Sequence, residues 1–345
     1  MKITKESFGK TANEEVDIFT LSNNNGMEVK ITNYGGIVTS IITPDKSGNL
    51  DDVVLGFDKL EDYLKNPFPY FGAIVGRCAN RMAKARFEID NTGYKLARNA
   101  GANHLHGGIK GFDKAIWKAE KWVNDKGAKI MLSYSSPDMD EGYPGNLNLK
   151  VIYTLTENNE FCIDYIATTD KATPVNLTHH SYFNLSGMKD KNILNHLLWI
   201  DSDKFTPTDK DYIPTGELKD FDGTALDFRK QKALGKDIEL MEDGYDHNFV
   251  LNNQGEFAKV AELYEPKSGR RLVMFTTEPG LQLYTANAFD GKTVGKKERA
   301  YEKFAGICLE AQHFPNSPNQ PNFPDVILRP GKEYKQRTIY KFTVL

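Results

Sequence analysis

Thr173-Pro-Val-Asn-Leu-Thr-His-His-Ser-Tyr-Phe-Asn-Leu-Ser-Gly187 is the stretch from which the chain is best read. Pro174 opens an extended segment, Val175 and Leu177 alternate with Asn176 and Thr178, and Gly187 ends the run. This predicts a strand running into a loop. Two imidazoles, His179 and His180, stand where the pattern changes. Neighbours on a strand point to opposite faces, so at most one of them enters a given pocket. The rest of the chain points to His180.

Outward from that stretch, short alternating segments recur over the whole length. Residues 15–21, 27–32 and 36–43 come first, separated by Asn23-Asn-Asn-Gly26 and followed by Pro44-Asp-Lys-Ser-Gly48. Residues 86–90 and 94–97 read as a hairpin about Asn91-Thr-Gly93. Further pairs are 117–123 with 129–134, and 147–155 with 161–169. Later candidates are 197–201, 247–251, 259–265, 270–276, 281–286, 306–312, 325–328 and 334–344; in the last, Thr338, Tyr340, Phe342 and Val344 share a face. No long stretch has a capped helical period, and 231–241 carries at most a turn or two. Many short strands at regular spacing predict an all-β chain, a sandwich or barrel. Without a Gly/Ser linker, repeat or low-complexity tract, residues 1–345 read as one large β domain; the polar, Pro-rich Asn316-Ser-Pro-Asn-Gln-Pro-Asn322 is a loop.

Charge narrows the function. Lys and Arg total 44 against 47 Asp and Glu, a net charge of -3, which argues against a nucleic-acid partner. No apolar run is long enough to span a bilayer, and the first residues lack a signal-peptide core, so no membrane partner and a cytoplasmic location are expected. Cys78, Cys162 and Cys308 are odd in number and far apart; they form neither a disulfide framework nor a metal knuckle.

Several polar residues need a reason. Gly101-Ala-Asn-His-Leu-His-Gly-Gly108 puts His104 and His106 two apart, on one side if extended; a polar turn with a satisfied histidine accounts for them equally well. In Gly306-Ile-Cys-Leu-Glu-Ala-Gln-His-Phe314, Cys308, Glu310 and Gln312 share a face. A carboxylate taken into a core costs several kcal/mol unless paired, so Glu310 is either half solvated or held for chemistry. Asp246 precedes His247 at a turn-to-strand junction, Asn80 and Arg81 follow Gly76, and Gln282 shares a face with Tyr284. Each has a plain structural reading: a turn aspartate, an ion-paired arginine, a sheet-surface amide. Together they suit a neutral polyhydroxylated ligand and proton transfer.

The segments Gly76-Arg-Cys-Ala-Asn-Arg81, Leu105-His-Gly-Gly108, Gly142-Tyr-Pro-Gly145, Asn176-Leu-Thr-His-His-Ser-Tyr-Phe-Asn-Leu185, Asp246-His-Asn-Phe249, Pro279-Gly-Leu-Gln282 and Leu309-Glu310 resemble, in order and spacing, the aldose 1-epimerase (galactose mutarotase) family. The resemblance runs from about Val16 to the carboxyl terminus. His179 departs from it, since asparagine is expected there in many members. The resemblance implies a large antiparallel β-sandwich of the galactose mutarotase-like supersandwich type, an open sugar cleft, no cofactor and no metal. It implies interconversion of the α and β anomers of D-galactose, D-glucose and related aldoses, by a monomer or homodimer. It makes Glu310 the base at the anomeric hydroxyl, His180 the acid at the ring oxygen and His106 a support for the sugar oxygens, with Asn80, Arg81, Asp246 and Gln282 holding hydroxyls. The chemistry agrees in type: glutamate is ordinarily ionised near neutrality and imidazole exchanges a proton there.

Three rivals use the same residues. A metalloenzyme would take His104-x-His106 as a ligand pair, completed by Glu310 and His180, but Ile109 and Lys110 stand where a further acidic ligand belongs. A non-catalytic sugar-binding module has no need of Glu310 with His180. An enzyme for phosphorylated sugars needs clustered cations, and only Arg77 and Arg81 stand near the motifs.

Overall fold

The computed structural model describes residues 1–66 and 68–345. Three antiparallel sheets carry the architecture. The first is a meander of Lys2–Lys10, Glu15–Ser22, Glu28–Thr32, Val38–Pro44 and Leu50–Asp52. A nine-stranded sheet runs in the order Lys118–Asn124, Gly127–Ser136, Leu147–Leu155, Glu160–Thr169, Tyr334–Val344, Arg270–Thr276, Ala258–Tyr264, Leu197–Ile200 and Lys232–Ala233. A six-stranded sheet follows the order Tyr182–Phe183, Ile307–Gln312, Gly280–Tyr284, Asp246–Leu251, Ser202–Phe205 and Lys219–Asp220.

Sequence alternation explains the layering. In Leu147–Leu155, Leu147, Leu149, Val151 and Tyr153 are buried while Asn148 and Lys150 are exposed. The carboxyl-terminal strand buries Gln336, Thr338, Tyr340 and Phe342, and Val344 at its end emerges into solvent. One apolar cluster joins the sheets: Phe19 and Val29 from the first, Leu132, Val151 and Tyr340 from the second, Phe249, Leu283 and Leu309 from the third. Polar bonds also cross this core. Tyr340 O–H donates to the Leu309 carbonyl at 2.9 Å, and Gln336 Nε2 donates to that of Ala311 at 3.2 Å. A sheet whose two faces are both covered tolerates long buried runs, and Ile307–Gln312 is buried at all six positions.

The structure corrects four local expectations. The stretch 173–187 is not one strand: Thr173–Pro174, Thr178–His179 and Tyr182–Phe183 are three two-residue strands, paired respectively with Ile327–Leu328, Ile74–Val75 and Ile307–Gln312. Its chain threads between sheets, which gives it alternation without a continuous ladder. The hairpin of Arg86–Ile89 and Thr92–Lys95 turns at Asp90 and Asn91, both at positive φ (51° and 64°), one residue earlier than Asn91-Thr-Gly93; this is the primed turn that strand twist favours. Lys2–Lys10 is a strand although it lacks an apolar face, because pairing with Glu15–Ser22 holds it. Leu60–Lys65 forms an α-helix too short for periodicity to reveal. The expected turn in 231–241 is present as two 3-10 segments, Leu234–Lys236 and Ile238–Leu240. Among the described residues no helix is long and apolar enough to cross a membrane.

Candidate active site

A cavity of about 350 Å³ opens on one face of the six-stranded sheet. Three neighbouring strands supply one wall. In their register Asn248 lies opposite Gln282, and Gln282 opposite Glu310, so these side chains point the same way. Glu310 is 2% exposed and its Oε2 has no hydrogen-bond partner among the described residues. The solvated-surface reading of this residue therefore fails.

Loops supply the opposite wall. Arg81–Met82 pairs with His104–Leu105, which brings Asn80, Arg81 and His106 side by side. His106 takes a left-handed backbone (φ 50°), and so does Asn80 (φ 57°). Gly107 follows at φ 85°, where a Cβ would fall 1.7 Å from the Gly76 carbonyl oxygen, so only glycine permits this approach. The expectation that His104 and His106 face one side is overturned here, because the chain is not extended at His106. His104 turns into the core, with Nδ1 donating to the Ala97 carbonyl at 2.7 Å and Nε2 accepting from Tyr143 O–H at 2.8 Å. It is a structural residue.

His106 and Asn80 are locked together. The His106 N–H donates to the Asn80 carbonyl at 3.0 Å, and the Asn80 N–H donates to His106 Nδ1 at 3.2 Å. A ring nitrogen that accepts carries no proton, so Nε2 carries it. His106 thus presents an N–H donor to the cavity. Burial, with His180 and Arg81 nearby, holds its pKa well below the usual histidine value, and it is a neutral donor at neutral pH.

The segment 178–183 carries the second imidazole. The His180 N–H donates to the Ala73 carbonyl at 3.1 Å and its own carbonyl accepts from Gly72 N–H at 2.9 Å, which fixes the backbone. Its ring lies edge-on to that of His106, centroids 5.2 Å apart, and beside those of Tyr70 and Tyr182. His180 Nε2 stands 3.6 Å from Glu310 Oε1. His179 points the other way, into the core between Tyr153, Phe161 and Tyr340, with Nε2 at 2.7 Å from Ser181 Oγ.

Burial acts on both members of this pair, in opposite directions on their pKa values. Burial lowers the His180 pKa to about 4. Burial, reinforced by the Asp246 carboxylate and only partly countered by Arg81, raises that of Glu310 well above the usual carboxylate range. Both shifts run in the direction that favours a neutral pair, with a single proton carried on the glutamate side. Such groups titrate as a pair.

Asp246 opens its strand and anchors the remaining polar residues. Its Oδ1 accepts from Gln282 Nε2 at 2.5 Å and its Oδ2 lies 3.5 Å from Arg81 Nη1. Arg81 also lies over the Tyr212 ring at 4.8 Å, and Tyr212 O–H donates to Asp243 at 3.0 Å. Thus Asn80, Arg81, His106, His180, Asp246 and Glu310 all line the cavity. Gln282 does not: it is buried behind Asp246 and orients that carboxylate. Tyr70, Tyr182 and Tyr212 line the cavity and were missed from sequence. Tyr182 lies within the opening stretch, but the other two carry no local signal beyond an aromatic in a loop.

Two rival readings meet this geometry. His106, His180 and Glu310 each offer a ligand atom within 4.8 Å of the others. The donor set does not suit a metal, because Asn80 already occupies the Nδ1 lone pair of His106. Ligation through Nε2 would demand an imidazolate. As for a phosphate, Arg77 is consumed by structure: its guanidinium donates to the carbonyls of Pro144, Gly145 and Pro137 and to Ser136 Oγ. Only Arg81 of the two arginines faces the cavity.

Comparison with known proteins converges on one family. The family model described as aldose 1-epimerase matches residues 17–341. The galactose mutarotase of Bos taurus is 47% identical over 319 residues, 92% of each chain, and that of Homo sapiens is 46% identical over the same share. Among solved structures, an aldose epimerase homologue from C. elegans superposes with a TM-score of 0.88 at 30% identity, covering 95% of this chain and 99% of its own.

Proposed function

This chain belongs to the aldose 1-epimerase family, and from that premise we propose how its pocket works and on what. It is an isomerase that acts on a small-molecule aldose. The substrates proposed are D-galactose, D-glucose and related aldoses, handled by a cytoplasmic monomer or homodimer that engages neither nucleic acid nor membrane.

Anomer exchange needs a proton removed from the anomeric hydroxyl, a proton delivered to the ring oxygen, rotation about C1–C2 and reclosure on the other carbonyl face. Glu310 is the base at the hydroxyl and His180 the acid at the ring oxygen. In the productive state the pair's proton sits on His180, leaving Glu310 ionised. The buried carboxylate is then a stronger base than glutamate in water, because its pKa is raised. Net charge on the pair is the same in both states; reaching the productive one separates charge within the pair, and the two opposite charges, 3.6 Å apart, offset part of that cost. His106, held as an Nε2–H donor, stabilises negative charge developing on a sugar oxygen. Asn80, Arg81 and Asp246 bind hydroxyls, with Gln282 fixing Asp246. The roles of acid and base exchange when the opposite anomer reacts.

The observation that carries this reading is a buried glutamate 3.6 Å from a buried imidazole in an open, sugar-sized cavity. The test is polarimetry of freshly dissolved α-D-galactose and α-D-glucose with chelator present. Acceleration that is lost in Glu310→Gln supports it. Acceleration that survives Glu310→Gln removes Glu310 as the base.

A further inference from the structure

The Nδ1 side of His180 has no role in the scheme above. On that side lies Cys308, two residues before Glu310 on the same strand and face, with Sγ 3.6 Å from His180 Nδ1. Cys308 is fully buried. Tyr182, directly opposite it in the strand register, has its hydroxyl near the same sulfur. The other groups around the ring are Glu310 on the Nε2 side, His106 and Tyr70 from the facing loops, and His179 next in sequence. None of these reaches Nδ1. Among the described residues its only other acceptor is the histidine's own carbonyl, whose oxygen also takes the Gly72 N–H.

We propose that Cys308 is a positioning residue that accepts the Nδ1–H of His180 and so sets the tautomer of the catalytic imidazole. With Nδ1 protonated, Nε2 is the bare nitrogen and faces Glu310. That is the arrangement in which the pair's proton can pass from the Glu310 carboxyl to Nε2, leaving a carboxylate and an imidazolium. Were Nε2 protonated instead, the proton would have nowhere to go on the side facing Glu310. Sulfur suits the task because it is a weak, polarisable acceptor. Burial and the nearby Glu310 and Asp246 carboxylates keep the thiol protonated, so it adds no second negative charge. An acceptor on Nδ1–H favours the imidazolium more than the neutral ring, and therefore favours the productive state.

This inference rests on the proposed acid role of His180, but the tautomer can be read without activity. In ¹⁵N-histidine-labelled, ligand-free enzyme near neutral pH, with His180 assigned by comparison with His180→Asn, the expected pattern is Nδ1 protonated and Nε2 bare. A protonated Nε2 overturns the proposal, whatever the polarimetry shows. In Cys308→Ala the His180 midpoint followed by NMR should fall by about half to one unit. Turnover should fall roughly tenfold, as for one hydrogen bond to a charged ring, with KM changed less than about twofold, and the acid limb of the pH profile should move down with the midpoint. Cys308→Ser, whose hydroxyl also accepts, should restore most of both. An unchanged or raised midpoint in Cys308→Ala refutes the assignment. Should Cys308→Ala fail to fold, the wild-type tautomer still decides. If the tautomer is as expected but no aldose is turned over, the proposed function fails while the positioning contact stands.

Discussion

Replacing His179 by asparagine separates the two adjacent histidines and yields a number. His179 is 3% exposed and burial, with a contribution from His180, lowers its pKa to about 3. In the unfolded chain it titrates near the ordinary value of 6.5. The sign follows: between about 3 and 6.5 the unfolded state binds more protons than the folded one, so stability is lost as pH falls through that window. Between about pH 7.5 and pH 5, the loss from this one residue is about 2 kcal/mol, from 1.36 kcal/mol per unit over roughly 1.5 units. His180 and His196, each lowered to about 4 by burial, add similar amounts. Three such terms total about 6 kcal/mol, comparable with the whole stability of many proteins.

Two groups act in the opposite sense. Glu310 has a raised pKa, so the folded state holds its proton more tightly and gains stability as pH falls. His313, raised by its bond to Glu278, does the same. Comparing wild type with His179→Asn cancels these common terms. The assay is urea unfolding followed by tryptophan fluorescence at about pH 7.5 and pH 5. At the higher pH the variant should be weaker by about 1–2 kcal/mol, from lost packing and the Ser181 contact. On acidification it should lose about 2 kcal/mol less than wild type, so the two converge or cross, and epimerase activity at neutral pH should persist. Equal acid losses in both proteins would refute the argument that His179 is held neutral by burial.

Other outcomes follow from the same geometry. Glu310→Gln should cut turnover by about 10² to 10⁴, the usual worth of a general base, while the melting temperature at neutral pH holds or rises because a costly buried ionisable group is gone. Wild-type kcat/KM should be bell-shaped in pH, reporting the two apparent titrations of the Glu310–His180 pair; a rate climbing steadily with pH would count against an imidazolium donor. Arg81→Lys should raise KM roughly tenfold with a smaller effect on kcat, since lysine keeps the charge near Asp246 but loses the stack on Tyr212; an unchanged KM for both sugars would remove Arg81 from hydroxyl binding. Arg77→Met should lower stability by about 3 kcal/mol or more, because five buried acceptors lose their donor, with catalysis of the folded fraction little changed.

The strands were legible because their alternation is set by burial, which period-two patterning records directly. Leu147–Leu155 and Tyr334–Val344 were found with both ends correct. The edge strand Lys2–Lys10 was not, because its conformation is imposed by a neighbour rather than by its own side chains. For the site, motif order located Glu310, His180, His106, Asn80, Arg81 and Asp246, all of which line one cavity. What remained hidden depends on long-range geometry. That His104 faces the core and His106 the cavity turns on one left-handed residue. That Gln282 donates to Asp246 depends on a cross-strand diagonal. The direction in which Glu310 and His180 titrate is invisible to residue type, since burial reverses the expectation drawn from free side chains.

That reversal bears on how such a site must be built. A glutamate ionised and a histidine protonated before substrate arrives would form an ordinary ion pair, and its stabilisation would have to be overcome at each proton transfer. A pair held neutral by burial avoids that trap, yet keeps both partners one proton transfer from the reactive state. The transfer costs little if something nearby favours the ionic arrangement only when it forms. Arg81 favours the carboxylate on one side, as its lowering of the Glu310 pKa records, and Cys308 favours the imidazolium on the other. Asp246 opposes the carboxylate, but it is bonded to Gln282 and near Arg81. A sugar hydroxyl that engages Asp246 would weaken its repulsion of Glu310, so ionisation of the base is coupled to occupancy of the site. Asp246→Asn should then lower the Glu310 pKa in the free enzyme while weakening sugar binding. Titrating ligand-free Asp246→Asn by carboxyl ¹³C NMR checks this, and an unchanged Glu310 midpoint would exclude the coupling.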